Sequence, residues 1–166
     1  MREDTKELIN KIVRHIQNVQ ENCIMLGRKL IDKDQEDVGR KLIYNCFQHD
    51  VSKFLGMEWE YLTLSSSKKR LNKNDRFGLT LAVKSHTLSN LHHPEYWGDI
   101  HHMPDIYVME MVCDWKSRST EFGTSLIDWI NKDAAERYKF TKDDEVYKKI
   151  IKYVEMLCDT PFNDLK

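Results

Sequence analysis

The chain has 166 residues, 26 of them Lys or Arg and 27 Asp or Glu, giving a formal charge of -1 with histidine neutral. That balance, with a pI near 6.7, supplies no basic field for bulk nucleic-acid binding, and no apolar run approaches the roughly 18 residues of a membrane span. A charged fraction of 32% and a mean hydropathy of -0.64 describe one water-soluble domain over residues 1–166, long enough to bury a core.

The opening Met1-Arg2-Glu3-Asp4 is too polar for a secretory signal, so a cytoplasmic location is expected. Leu8, Ile12, Ile16, Val19, Cys23, Leu26 and Leu30 then recur by threes and fours, the stripe of an amphipathic helix over about residues 5 to 32. His15 lies beside that stripe. A second helix is expected from Gln35 to Gln48, delivering His49-Asp50 at its end, and a short third from Met57 to Leu64. Residues 65 to 75 are polar and basic; Lys68, Lys69, Arg70 and Lys73 suit either a solvated loop or a phosphate-attracting lid.

Asp75 can cap a fourth helix running to about Leu91 and stopped before Pro94. His86, Asn90 and His93 follow at i, i+4 and i+7, one face if the helix persists, but Pro94 disfavours helical dihedrals at His93. Which of His92 and His93 turns inward is open on spacing alone. Residues 94 to 105 form a loop, with His101 and His102 in it. Pro104 opens a helix carrying Tyr107, Met111 and Asp114, and Ser125–Tyr138 and Asp143–Leu157 are two further amphipathic helices that either cover the core or form a homodimer face. The architecture is all-α, a bundle of about six to seven helices.

Cys23, Cys46, Cys113 and Cys158 fall in apolar helical segments without a C-x-x-C pair, so all four are expected to be reduced core residues. Trp59, Trp115 and Trp129 are expected in the core. Tyr96 and Trp97 follow the paired histidines and are candidates to stack on a substrate base. Asn90 and, at a cleft mouth, Arg118 are further substrate-binding candidates.

The chemistry concentrates in an ordered array: His15, His49-Asp50, His86, His92-His93 and Asp114. Imidazole and carboxylate ligate borderline divalent metals, and a carboxylate among apolar neighbours needs a cation or donors nearby.

This order looks like that of the HD-domain metal-dependent phosphohydrolase superfamily. His-Asp-Val-Ser-Lys-Phe (49 to 54) resembles its H-D-x-x-K element, and His-His-Pro-Glu-Tyr-Trp (92 to 97) with Glu-Met-Val-Cys-Asp-Trp (110 to 115) resembles a small HD-like family. The resemblance covers about residues 10 to 120 and is fullest toward dinuclear members such as the HD-GYP phosphodiesterases, although the glycine-tyrosine-proline motif is absent, so cyclic dinucleotide specificity is not implied.

The resemblance implies an HD-domain-like helical bundle. His15, His49, Asp50 and Asp114 would hold one divalent ion (Mn, Fe, Co, Ni, Zn or Mg). Asp50 would bridge to a second ion held by His86 and His92 or His93, and Lys53 would contact the substrate phosphate or the attacking water. The expected activity is hydrolysis of a small phosphate ester such as a nucleotide. A mixed-valent di-iron oxygenase and a non-catalytic nucleotide-binding module are the alternatives.

Overall fold

A computed structural model describes residues 2–67 and 70–165; Lys68 and Lys69 of the basic segment lie outside the described residues. The fold is all-helical, as the periodicity predicts. Helix α1 (Glu3–Ile31) buries Ile12, His15, Val19, Cys23, Leu26, Gly27 and Leu30 along one face. Helix α2 (Glu36–Cys46) packs against it, and the two backbones meet at paired glycines. A Cβ on Gly39 would fall on the Gly27 carbonyl, and one on Gly27 would come 2.9 Å from the Gly39 oxygen. Just beside this crossing Cys23 and Cys46 form a disulfide. This corrects the expectation of four reduced cysteines: both do sit on buried stripes, but the close crossing brings the stripes together. Cys113 and Cys158 are free.

Helix α2 stops at Cys46, and residues 47–50 form turns before a 3-10 segment, Val51–Phe54. Helices α3 (Gly56–Ser66) and α4 (Lys73–Ser89) follow. The cap of α4 is Asn72, whose side chain accepts from the Asp75 N–H while Asp75 reaches back to Asn72 N–H, a reciprocal box one turn earlier than expected. Where a loop was expected, Pro94–Trp97 makes a single turn, α5, and Ile100–His102 a 3-10 turn.

Helix α6 (Asp105–Phe122) is buried on every face from Val108 to Trp115, with α1, α2 and α9 around it. A helix so enclosed can afford no polar residue without a partner, yet it carries Glu110 and Asp114. After α6 the chain runs as α7 (Leu126–Asp128), a π-helical stretch Trp129–Ala134 and α8 (Ala135–Tyr138). Helix α9 (Glu145–Cys158) closes the core with Val146, Ile150, Tyr153, Val154 and Leu157. These last helices cover the core. Trp115 is buried, while Trp129 packs partly buried against it. Among the described residues no helix is long and apolar enough to cross a membrane.

Candidate metal centre

Five chain segments bring the sequence-predicted ligands to one place. Helix α1 presents His15, the turn after α2 presents His49 and Asp50, α4 presents His86, the turn after α4 presents His92 and His93, and α6 presents Asp114. Asp50 adopts φ 56, ψ 13, the left-handed conformation that aspartate tolerates better than most residues. Helix α4 ends at Ser89 and Asn90 is extended at φ -103, ψ 121, so the i+7 face predicted for His93 is not helical. Both members of the His92-His93 pair turn inward nonetheless, which resolves the alternative left open by the spacing.

Asp50 lies at the middle, 1% exposed. Its Oδ2 is 3.2 Å from His15 Nε2 and 3.6 Å from His49 Nε2. Its Oδ1 faces a different pair, 3.2 Å from His86 Nε2 and 3.5 Å from His92 Nε2. Asp114 Oδ1 is 3.2 Å from His15 Nε2 and 4.0 Å from His49 Nε2, and His93 Nε2 is 2.9 Å from His86 Nε2. Bonds of about 2.1 Å to a shared ion would set ligand atoms roughly 3.0 to 4.2 Å apart, and these spacings fall at or within that range.

Satisfaction of the polar atoms gives an independent test. His15 Nε2, His49 Nε2, His92 Nε2, Asp50 Oδ1 and Asp114 Oδ1 are all buried and none has a hydrogen-bond partner. Buried polar atoms are rarely left so, and here five of them converge. Asp50, His86, His92 and His93 form one group able to hold a metal ion, and His15, His49 and Asp50 another.

The opposite edges of the rings explain the orphaned atoms. His15 Nδ1 lies 3.0 Å from Glu121 Oε1, His49 Nδ1 3.0 Å and His92 Nδ1 3.4 Å from Glu110 Oε1, and His86 Nδ1 3.0 Å from Glu58 Oε1. An imidazole that donates Nδ1–H to a carboxylate keeps Nε2 as its lone-pair face, the arrangement that orients metal-binding histidines. His49, His92 and Glu110 are also close enough to group around an ion. Because one Glu110 oxygen lies at hydrogen-bond distance from both Nδ1 atoms, we assign it as their common acceptor. Trp97 braces the same region, its indole N–H donating to Leu91 O at 2.9 Å.

Without a metal cation, protons and Lys53 carry the positive charge. Burial disfavours the charged ring of His15, but the Asp114 and Asp50 carboxylates beside it outweigh burial and raise the pKa to about 9. His86 is likewise opposed by burial and raised to about 9 by Asp50 and Glu58. Burial, then the neighbouring His92 and His86, push His93 down to about 3, so a charged His86 can donate to it. Burial works to raise the carboxyls, yet His49 and the other neighbouring histidines hold Asp50 well below its usual range, and hydrogen bonds from His49 and His92 hold Glu110 at about 2. The Lys53 ammonium sits directly on Asp50 Oδ2.

A cleft of about 290 Å³ opens over the group, lined among others by Asp50, Lys53, His93, Asp114 and Arg118. Arg118 is 3.8 Å from Asp114 and 3.5 Å from Glu121. The other substrate candidates do not line this cleft. Tyr96 packs against Trp97, which rests on Tyr107, and the Asn90 amide donates to His86 O at 2.8 Å and Ser52 Oγ at 3.2 Å. His101, at the surface, pairs with Asp99 and Asp144. Sequence reasoning missed Glu58, Glu110, Glu121 and Arg137. Glu110, Asp114 and Glu121 carry a signal, since spacings of 4 and 7 place them on one stripe of α6, two of them within its apolar first half; Glu58 and Arg137 have none.

A family model described as "Family of unknown function (DUF5662)" matches residues 4–160. No curated protein and no solved structure matches the chain.

Proposed function

The chain belongs to the DUF5662 family, and from its own residues we propose that it is a metal-dependent phosphohydrolase of small phosphate esters, built on the HD-domain plan. The observation that carries the proposal is the convergence of unpartnered imidazole Nε2 and carboxylate atoms beside a cleft with cationic side chains. His15, His49, Asp50 and Asp114 would hold one ion, and His86, His92, His93 and the second oxygen of Asp50 another. The order of these residues, similar to that of the HD superfamily, is the second support. A donor set this rich in imidazole suits Fe, Co, Ni or Zn better than Mg.

A divalent ion so bound lowers the pKa of water from about 16 toward 7 and polarises a phosphoryl oxygen. The chain's own groups supply the rest. Asp50 orients one oxygen toward each half of the site. Glu58, Glu110 and Glu121 hold the rings in one tautomer and rotation, so no reorganisation is needed on binding. Lys53 and Arg118, both on the cleft, offset the charge that grows on phosphoryl oxygens. Each is also paired with an acid, Asp50 and Asp114 respectively, which keeps it in position.

Metal analysis of the purified protein, joined to a hydrolysis panel with Mn²⁺, Fe²⁺, Co²⁺ and Ni²⁺, tests the reading. Stoichiometric metal and phosphate release are expected, with both lost in His49→Ala and Asp50→Ala; wild-type turnover in either variant overturns it. Iron-loaded protein that consumes oxygen on substrate addition, without releasing phosphate, would establish the di-iron oxygenase instead. Tight nucleotide binding without turnover would establish a binding module. A cytoplasmic location belongs to the same proposal and is tested by thiol trapping in cells: reduced Cys23 and Cys46 support it, whereas a persistent bond places the chain in an oxidising compartment.

A further inference from the structure

The walls of the cleft over Asp50 differ sharply in chemistry. The α3–α4 hairpin contributes Leu62, Leu79, Ala82 and Val83, whereas α6 and α8 contribute Arg118 and Arg137 and the 3-10 turn contributes Lys53. Leu79, Val83 and His86 are spaced i, i+4 and i+7 on α4, so they share one face, and His86 Nε2 is the atom 3.2 Å from Asp50. Seven residues of helix span about 10 Å. An aliphatic lane of that length therefore leads away from the metal-facing histidine.

What the lane lacks is equally informative. Apart from the metal-facing His86 and His93, no described residue lining this cleft is aromatic and none carries an amide; Thr87 is its one neutral hydrogen-bonding side chain. A nucleobase is read by stacking and by donors and acceptors on its edge, and Tyr96, Trp97 and Asn90, the candidates for that role, do not line this cleft. Tyr96 and Trp97 pack on each other, the indole N–H is taken by Leu91, and the Asn90 amide by Ser52 and His86.

We propose that the ligand is a phosphate monoester of an aliphatic alcohol rather than a nucleotide. Its phosphoryl group faces Asp50, Lys53 and Arg118, and its hydrocarbon lies along Leu79 and Val83. This rests on the phosphohydrolase reading for the reaction, though not for the binding. In that reaction the oxygen of water bonds to phosphorus, the bond from phosphorus to the alkyl oxygen breaks, and the departing oxygen takes a proton that the water gives up. The products are an alcohol and inorganic phosphate, with no change in oxidation state. The upstream reaction class is then phosphoryl transfer to an apolar alcohol, or cleavage of a diester or pyrophosphate that leaves one.

Binding of non-hydrolysable n-alkylphosphonates, from methyl to octyl, to the manganese-loaded chain separates this inference from the question of turnover. Calorimetry is expected to show the Kd falling about two- to fourfold per added methylene, with adenosine 5'-monophosphate binding no tighter than methylphosphonate. Leu79→Asn should flatten that slope, while Phe77→Asn, on the exposed side of the same helix, should keep it. A flat series in the wild type, or a nucleotide preferred tenfold over octylphosphonate, overturns the inference even if phosphate esters are hydrolysed. A steep series with no hydrolysis of n-alkyl phosphates leaves the ligand class standing and overturns the phosphohydrolase reading.

Discussion

Glu110 is 5% exposed and offers one oxygen to two imidazole Nδ1 atoms. If it orients those rings, Glu110→Gln should weaken divalent-ion affinity by about 10- to 100-fold, read by competition with a chromogenic chelator, while circular dichroism stays unchanged. Unaltered affinity would make it a structural acid only. Protons and ions also compete for the same nitrogens. His15 and His86 titrate near 9 in the metal-free chain, against the ordinary 6.5. Raised folded pKa values stabilise the metal-free fold fully below pH 6.5, and that contribution is lost as the pH climbs through 9. An ion requires both rings neutral. Metal-free melting temperature should therefore fall between pH 6.5 and 9.5 while the stabilisation gained from added Mn²⁺ grows; a gain that shrinks with pH contradicts the assignment. The ligands themselves were legible because histidine and aspartate have no other reason to recur in apolar helices. Their carboxylate supports were not, since Glu58, Glu110 and Glu121 are 3 of 27 acidic residues and only tertiary packing distinguishes them.

The helices differ in how firmly they are held, and in how well the sequence foretold them. Helix α1 was legible almost to its ends because seven apolar positions repeat on one face. The end of α2 was not: nothing in Gln48-His49-Asp50 marks a left-handed aspartate, and the turn only makes sense with Asp50 drawn toward four imidazoles. Turns as short as Pro94–Trp97 and Ile100–His102 have too few residues for any periodicity to register. The disulfide was hidden because a cysteine on a buried stripe looks the same whether or not its neighbour is another cysteine. Where α1 and α2 cross, Gly39→Ala drives a methyl into the Gly27 carbonyl, and such overpacking costs about 1–3 kcal/mol. Denaturant titration should show that loss, and wild-type stability would mean that the helices can part at no cost. Helix α3 buries no residue, and Leu55, Met57, Phe77 and Leu81 of its hairpin are exposed. With so little apolar burial, its amides should exchange with solvent well before those of α6.

Those unequal helices meet at the candidate metal site. Asp50 and His86 join the loosely packed α4 to the turn after α2, and through His15 and Asp114 to α1 and to the enclosed α6. An ion bound there would act as a cross-link between the hairpin and the core. Without it, protonated His15 and His86 and the Lys53 ammonium substitute for its charge but not for its bonds. Any ligand bound by the folded chain alone stabilises it by mass action, by about 2.7 kcal/mol at a hundredfold excess over Kd. For a chain of 166 residues that corresponds to a rise in Tm of roughly 5–10 °C. Dialysis against a chelator should reverse the rise, and re-addition of Mn²⁺ or Co²⁺ should restore it. The location of the effect is the sharper test. If ligands from both regions share the ion, protection against hydrogen exchange should increase most in α4 and at residues 47–54, with α9 scarcely changed. A uniform increase, or none in the hairpin, would mean that the ion is held by α1 and α6 without α4, and that His86 only neutralises Asp50.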